Sequence, residues 1–318
     1  MRRLTCPACA NEVFFDSIRC ERCRTTLLYD LQGDAMLAPA QSGDAWPGRC
    51  ANADLVRCNW AAEPDALCES CARTRTRPDD DDEEGLRLWP LAEEAKRHLL
   101  RDLHRLGFPV DGDDGQPLRF DLLSSVRADV TIGHADGIVT IDLAEGDDSH
   151  RERVRRQLAE PYRTMLGHFR HESGHYVEWR LVEGTDRIDE ARALFGDERA
   201  DYQGEIDRHY REGPPAGWQD RFLSAYATMH PYEDFAESFA HLLHIHDSLE
   251  TADAFGLAPL PMHASAKELI VETWLPFATA MNVVNRSLGR RDLYPFVLPG
   301  PVIEKIAFVD SLRTPPRD

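Results

Sequence analysis

What this sequence lacks narrows it first. No uninterrupted apolar run approaches the roughly 18 residues that a bilayer-spanning helix needs, so no contact with a membrane is expected. No apolar stretch follows Met1-Arg2-Arg3 before the chain reaches Cys6, so no secretory signal is read and a cytoplasmic location is expected. Positive charge is in deficit: 37 Lys and Arg against 56 Asp and Glu give a formal charge of −19. Such a surface repels nucleic acid and anionic lipid, which argues against either as a partner. Cysteine is absent after position 71. In a reducing compartment, thiols clustered in one segment point to metal rather than to disulfides.

The 318 residues, 42% of them hydrophobic, suffice for one large core and a smaller satellite. The run Pro78-Asp79-Asp80-Asp81-Asp82-Glu83-Glu84-Gly85 concentrates charge of one sign and reads as a linker. Residues 1–78 hold ten arginines and ten Asp or Glu, so the net negative charge belongs wholly to residues 79–318. The expected organisation is a cysteine-rich module over 1–78, an acidic linker over 79–85 and a larger domain over 86–318.

Within that domain, Leu91, Ala95, Leu99 and Leu103 recur at a spacing of four, predicting an amphipathic helix over 88–106 that Gly107 and Pro109 end. The period then shortens. Phe120 to Leu123, Asp129 to Ile132 and Ile138 to Leu143 are short, rich in Val, Ile, Leu and Thr, and read as strands. Ile138 to Leu143 is the clearest; at a sheet edge it could pair with an extended peptide, although an ordinary sheet strand accounts for it better. From Arg151 the pattern is helical, over about 151–160, 161–183, 187–210, 219–228, 231–246, 265–286 and 301–312. A small sheet followed by several helices implies an α+β domain.

Cys6-Pro7-Ala8-Cys9 and Cys20-Glu21-Arg22-Cys23 are two Cys-x-x-Cys knuckles, the spacing at which two tight turns present four thiolates to one tetrahedral zinc. Cys50, Cys58, Cys68 and Cys71 can complete a second such site, although sequence alone leaves the grouping of the eight open. Four thiolates leave no open position, so one or two structural zincs are expected. Arg73, Arg75 and Arg77 could touch phosphate, but the module carries no net formal charge, and contact with protein is the better expectation.

His171-Glu172-Ser173-Gly174-His175 carries the chemistry. On a helix, positions i and i+4 share a face, so both imidazoles can address one ion while Glu172 falls beside it. That pattern points to amide hydrolysis by metal-activated water, with Glu172 taking and returning the proton. His168 shares the face and is read as a supporting residue. A catalytic zinc needs a third protein ligand. On the helix opened by Pro231, Glu233, Glu237, His241 and His244 form one polar stripe and Phe235, Phe239 and Leu242 an apolar one. Glu233, Glu237, His241 and the loop residue Asp197 all remain candidates.

The string Glu233-Asp234-Phe235-Ala236-Glu237 after such a helix resembles the gluzincin pattern of anthrax lethal factor-like metallopeptidases. That resemblance implies Glu233 as third zinc ligand and Tyr226, seven residues earlier, as a donor to the oxyanion. Most of the chain is similar to a bacterial family of zinc-binding metallopeptidases with an N-terminal zinc-ribbon domain. The likeness runs through Cys6-Pro7-Ala8-Cys9, Cys50-Ala51-Asn52, Cys58-Asn59-Trp60, Pro161-Tyr162-Arg163-Thr164, Gly167-His168-Phe169-Arg170-His171-Glu172, Phe195-Gly196-Asp197-Glu198 and Asp292-Leu293-Tyr294-Pro295-Phe296-Val297. It implies a zincin-like domain behind a zinc ribbon, one catalytic zinc, and a peptide or protein substrate. The competing reading is a zinc-ribbon adaptor whose peptidase-like domain binds a protein partner without chemistry.

Overall fold

A computed structural model describes residues 2–39, 48–112, 115–126, 129–157, 160, 162–261 and 264–314. Pro161, at the start of the helix expected over 161–183, lies outside the described residues. The fold is mixed: short strands and a small sheet, then helices, as the pattern predicts. Contacts divide the chain into two compact units.

The first unit comprises Met1–Arg105, Val110–Arg153 and Thr164–Phe169. Its cysteine-bearing part is built from two-stranded ribbons: β1 (Leu4–Thr5) with β2 (Glu12–Val13), β3 (Leu28–Asp30) with β4 (Ala35–Leu37), and β5 (Gly48–Arg49) with β6 (Ala61–Ala62). The short helix α1 (Glu69–Ala72) and strand β7 (Thr74–Thr76) follow. Strand β7 runs parallel to β8 (Arg119–Leu123) and closes a four-stranded sheet of order β7-β8-β10-β9, with β9 (Gly133–Ala135) and β10 (Ile138–Asp142). One strand expectation needs correction. Asp129 to Ile132 is not a strand; the pairing falls on Gly133–Ala135, past the polar turn. Strand β10 is internal, paired with β8 on one edge and β9 on the other, and so is an ordinary sheet strand, the reading that accounts for it better.

The acidic run is not a free linker either. Asp82 is 4% exposed, and its Oδ1 accepts from the Gly85 amide at 2.9 Å as helix α2 (Glu83–Leu106) begins. Carboxylates are favoured at a helix N-terminus, where unsatisfied amides and the helix dipole both attract them. Helix α2 buries Leu88, Trp89, Ala92, Leu99, Leu100 and Leu103, together with charged side chains that meet the ribbons. Arg101 donates to both oxygens of Asp34, at 2.9 and 3.1 Å, and Tyr29 donates to the same carboxylate at 2.6 Å. Arg73, Arg75 and Arg77, read as possible phosphate contacts, are engaged by Asp111, Asp121 and Asp80.

The second unit comprises Leu106–Pro109, Val154–Arg163 and Arg170–Asp318. Its elements include most of α4 (Met165–Leu181), which follows α3 (Asp148–Gln157), then α5 (Ile188–Phe195), α6 (Tyr202–Glu212), α7 (Pro231–Ala254), α8 (Ala266–Glu268), α9 (Leu275–Ser287) and α10 (Gly300–Asp310). The single helix expected over 187–210 is broken at Gly196, whose φ of 113° suits glycine and few others. The helix expected over 219–228 is two separate turns of 3₁₀ helix, at Trp218–Asp220 and Tyr226–Thr228. Phe195, Phe235 and Phe308 pack ring against ring to join α5, α7 and α10. Lys305 of α10 reaches Asp234 of α7 at 2.5 Å, a buried ion pair in that interface. No helix among the described residues is long and apolar enough to cross a membrane.

Candidate metal centres

The eight cysteines separate into two sets, Cys6, Cys9, Cys20, Cys23 and Cys50, Cys58, Cys68, Cys71, each with its ligand atoms within 4.8 Å of one another. All are free thiols. The Sγ atoms of Cys6 and Cys23 lie 3.7 Å apart, those of Cys9 and Cys20 3.6 Å, and those of Cys58 and Cys68 3.6 Å. A disulfide would bring two sulfurs to about 2.05 Å. A tetrahedral zinc with Zn–S bonds of about 2.3 Å would hold them about 3.8 Å apart. The observed spacings fit the tetrahedron. Backbone hydrogen bonding from Cys23 draws the Cys20 thiol down to about 7, towards the thiolate that zinc requires.

Helix α4 carries His171, Glu172 and His175 and is buried on nearly every side between Phe169 and Glu178, so it shows no single apolar stripe. At Gly174 it lies against α7. A Cβ on Gly174 would stand 2.8 Å from the Cα of Ala236 and 3.2 Å from the Cβ of Phe239. Only glycine lets the two backbones approach that closely. The approach places the polar stripe of α7 against the histidines: His171 Nε2 is 3.0 Å from Glu233 Oε2, and His175 Nε2 is 3.7 Å from the same oxygen. The ligand atoms of His171, His175 and Glu233 all fall within 4.8 Å of one another.

The carboxylates of this group favour positive charge beside them. Burial alone would make the His171 imidazole neutral, but its bonds to Glu233 and Glu237 outweigh that and hold its pKa well above the usual range. Burial likewise works to raise the Glu233 carboxyl, yet the neighbouring His175 and His171 keep it well below the usual carboxylate range. Two imidazoles and one ionised carboxylate, converging on one point, form a donor set that suits zinc.

Family models match at two places. One, described as "Putative zinc-binding metallo-peptidase", matches residues 85–312, and a zinc-ribbon domain matches residues 3–82. The chain belongs to this metallopeptidase family. An uncharacterized protein of Mycobacterium tuberculosis is 47% identical over 326 residues, covering 98% of this chain and 95% of its own length. An uncharacterized protein of Mycobacterium bovis is similar to the same extent. No solved structure matches the chain.

The rivals for third ligand differ in what they meet. Glu237 faces the other nitrogen of His171: its Oε1 is 3.0 Å from Nδ1, and its Oε2 accepts from Ser224 Oγ at 2.7 Å. A carboxylate in that position fixes ring orientation and tautomer. Asp197 is exposed and forked onto Arg199. His241 pairs its Nδ1 with the Tyr294 hydroxyl at 2.7 Å, and His244 receives Arg170 at 2.5 Å. His168 meets Glu145 at 3.2 Å instead of the histidine pair.

Tyr226 lies in the 3₁₀ turn before α7 with its ring edge-on to His171, centroids 5.6 Å apart. Burial, then the charges of Glu233 and Glu172, push its hydroxyl well above the usual range, so it stays protonated and able to donate. Tyr202 is a site residue that sequence reasoning misses. At the start of α6, its hydroxyl donates to Glu233 Oε1 at 2.7 Å, holding the oxygen that does not face the histidines. A tyrosine 31 positions from its partner leaves no local signal in sequence.

Proposed function

We propose that this metallopeptidase hydrolyses peptide bonds at a zinc held by His171, His175 and Glu233, with Glu172 as general base and then general acid. The observation that carries this reading is the convergence of those three ligand atoms within 4.8 Å on α4 and α7, with Glu172 next in the chain to His171. Zinc bound there would supply Lewis acidity, lowering the pKa of a water to about 7 and polarising the scissile carbonyl. Glu172 takes the proton of the attacking water and delivers it to the departing amine. Glu237, anchored by Ser224, fixes His171, and Tyr202 fixes Glu233, so neither ligand has to reorganise during turnover. Tyr226, protonated and beside His171, donates to the carbonyl oxygen as charge develops on it. The arrangement is of the gluzincin type.

On this reading residues 1–78 are a zinc-ribbon module with two Cys₄ zincs and 86–318 the peptidase domain, with the ribbon contacting protein. Eight free thiols suit a reducing, cytoplasmic setting. The test is cleavage of a peptide library by protein carrying three zincs per chain. Glu172→Ala should lower turnover by about 10²–10⁴-fold with three zincs still bound. A fully metallated wild-type protein that cleaves nothing across the library overturns the proposal.

A further inference from the structure

Helix α2 buries two cations side by side, Lys96 at 0% and Arg97 at 2% exposure. Lys96 is accounted for: its Nζ lies 2.8 Å from Glu93 Oε2, and Glu93 also accepts from Thr74 at 2.6 Å and from the Trp89 indole at 3.1 Å. Arg97 is not. Its Nε and Nη1 have no hydrogen-bond partner among the described residues. A guanidinium stays charged at any pH a protein meets, so burying one without an anion is strongly unfavourable. An anion is therefore required within reach.

The Cys50, Cys58, Cys68 and Cys71 cluster provides it. All four thiols are buried; the Cys68 backbone amide donates to Cys50 Sγ at 3.4 Å, and Cys71 Sγ lies 3.9 Å from Glu93 Oε2. Four thiolates on one zinc leave a net charge of about −2 with no route to solvent. Lys96 is already committed to the carboxylate nearest that charge. Arg97 stands one helical turn beyond Glu93 on the same face of α2, and it is Glu93 that lies against Cys71 of the cluster. The cysteines belong to the zinc-ribbon match, residues 3–82, whereas Arg97 belongs to the peptidase match, residues 85–312.

We propose that Arg97 is the counter-charge of a zinc held by Cys50, Cys58, Cys68 and Cys71, so that metal occupancy there and the docking of α2 are one coupled event. The ribbon's second metal is then a folding requirement of the first peptidase helix, and not only a staple within the ribbon. The first cysteine set has no such dependence on Arg97.

The experiment challenges the full chain with a zinc chelator, alkylates the thiols as they are released, and maps them by peptide mass, so that the two sets report separately. In Arg97→Met, which keeps length and loses charge, the Cys50 set should be alkylated about tenfold faster while the Cys6 set keeps its wild-type rate. Arg97→Lys should recover most of the protection. A rate for the Cys50 set within twofold of wild type, or equal acceleration of both sets, overturns the proposal. Should Arg97→Met fail to fold, wild-type protein decides it. Hydrogen exchange across residues 95–103 should rise as the Cys50 set is alkylated, and unchanged protection there overturns the coupling.

Discussion

Gly174 is the residue on which the separation of α4 and α7 depends, and Gly174→Ala tests that directly. The added Cβ would sit 2.8 Å from the Cα of Ala236 and 3.2 Å from its carbonyl oxygen, both backbone atoms that cannot rotate away. Carbon atoms rest at about 3.5–4.0 Å, so the helices must part by about 1 Å. Overpacking of this kind costs about 1–3 kcal/mol, and alanine returns roughly 1 kcal/mol through helix propensity. The net loss is about 0–2 kcal/mol, or a fall of several degrees in Tm at most. The site suffers more. His171 and His175 stand on one helix and Glu233 on the other, so their 3.0 and 3.7 Å separations open with the helices. A displacement of about 1 Å costs on the order of 10²-fold in rate. The assay pairs thermal unfolding with chelator competition for the third zinc and with turnover. A small change in Tm beside a large loss of zinc affinity and activity is expected. Wild-type zinc affinity and turnover in Gly174→Ala would refute the argument that this glycine sets the spacing.

Other outcomes rest on the same contacts. Tyr202→Phe removes the 2.7 Å bond to Glu233 and should weaken zinc at the histidine site by about tenfold with the cysteine sites unchanged; equal weakening at all three sites would count against it. Glu237→Gln keeps the shape but not the charge beside His171 Nδ1, and should cost about 10–100-fold in affinity for that zinc, read by the same competition. Asp34 offers a pH test. Burial raises its carboxyl, but bonds from Arg101 and Tyr29 and the Arg101 charge outweigh this and hold it below the usual range. A depressed carboxylate pKa contributes stability that is present above the unfolded value of about 3.9 and is lost as pH falls through the folded value. Wild type should thus lose more stability than Asp34→Asn between pH 5 and pH 2 in urea unfolding, and parallel losses would exclude the contribution.

The sequence by itself determined the inventory of candidate ligands. The i, i+4 histidines, the glutamate between them and the paired cysteines are local patterns whose geometry a helix or a tight turn supplies without help from the rest of the chain. It also determined the order of small sheet and helices, through the change in apolar period near Phe120 and again after Arg151. Charge and spacing along one helix could not choose between Glu233 and Glu237, since both lie on the same face of α7. In the tertiary structure the two meet different nitrogens of His171, a difference that depends on the close approach at Gly174. Tyr202, Ser224 and Arg97 had no local signature, because each acts on a partner far away in the chain. The acidic run misled for a related reason: its charges looked repulsive in sequence, and Asp82 becomes favourable only once α2 begins beside it.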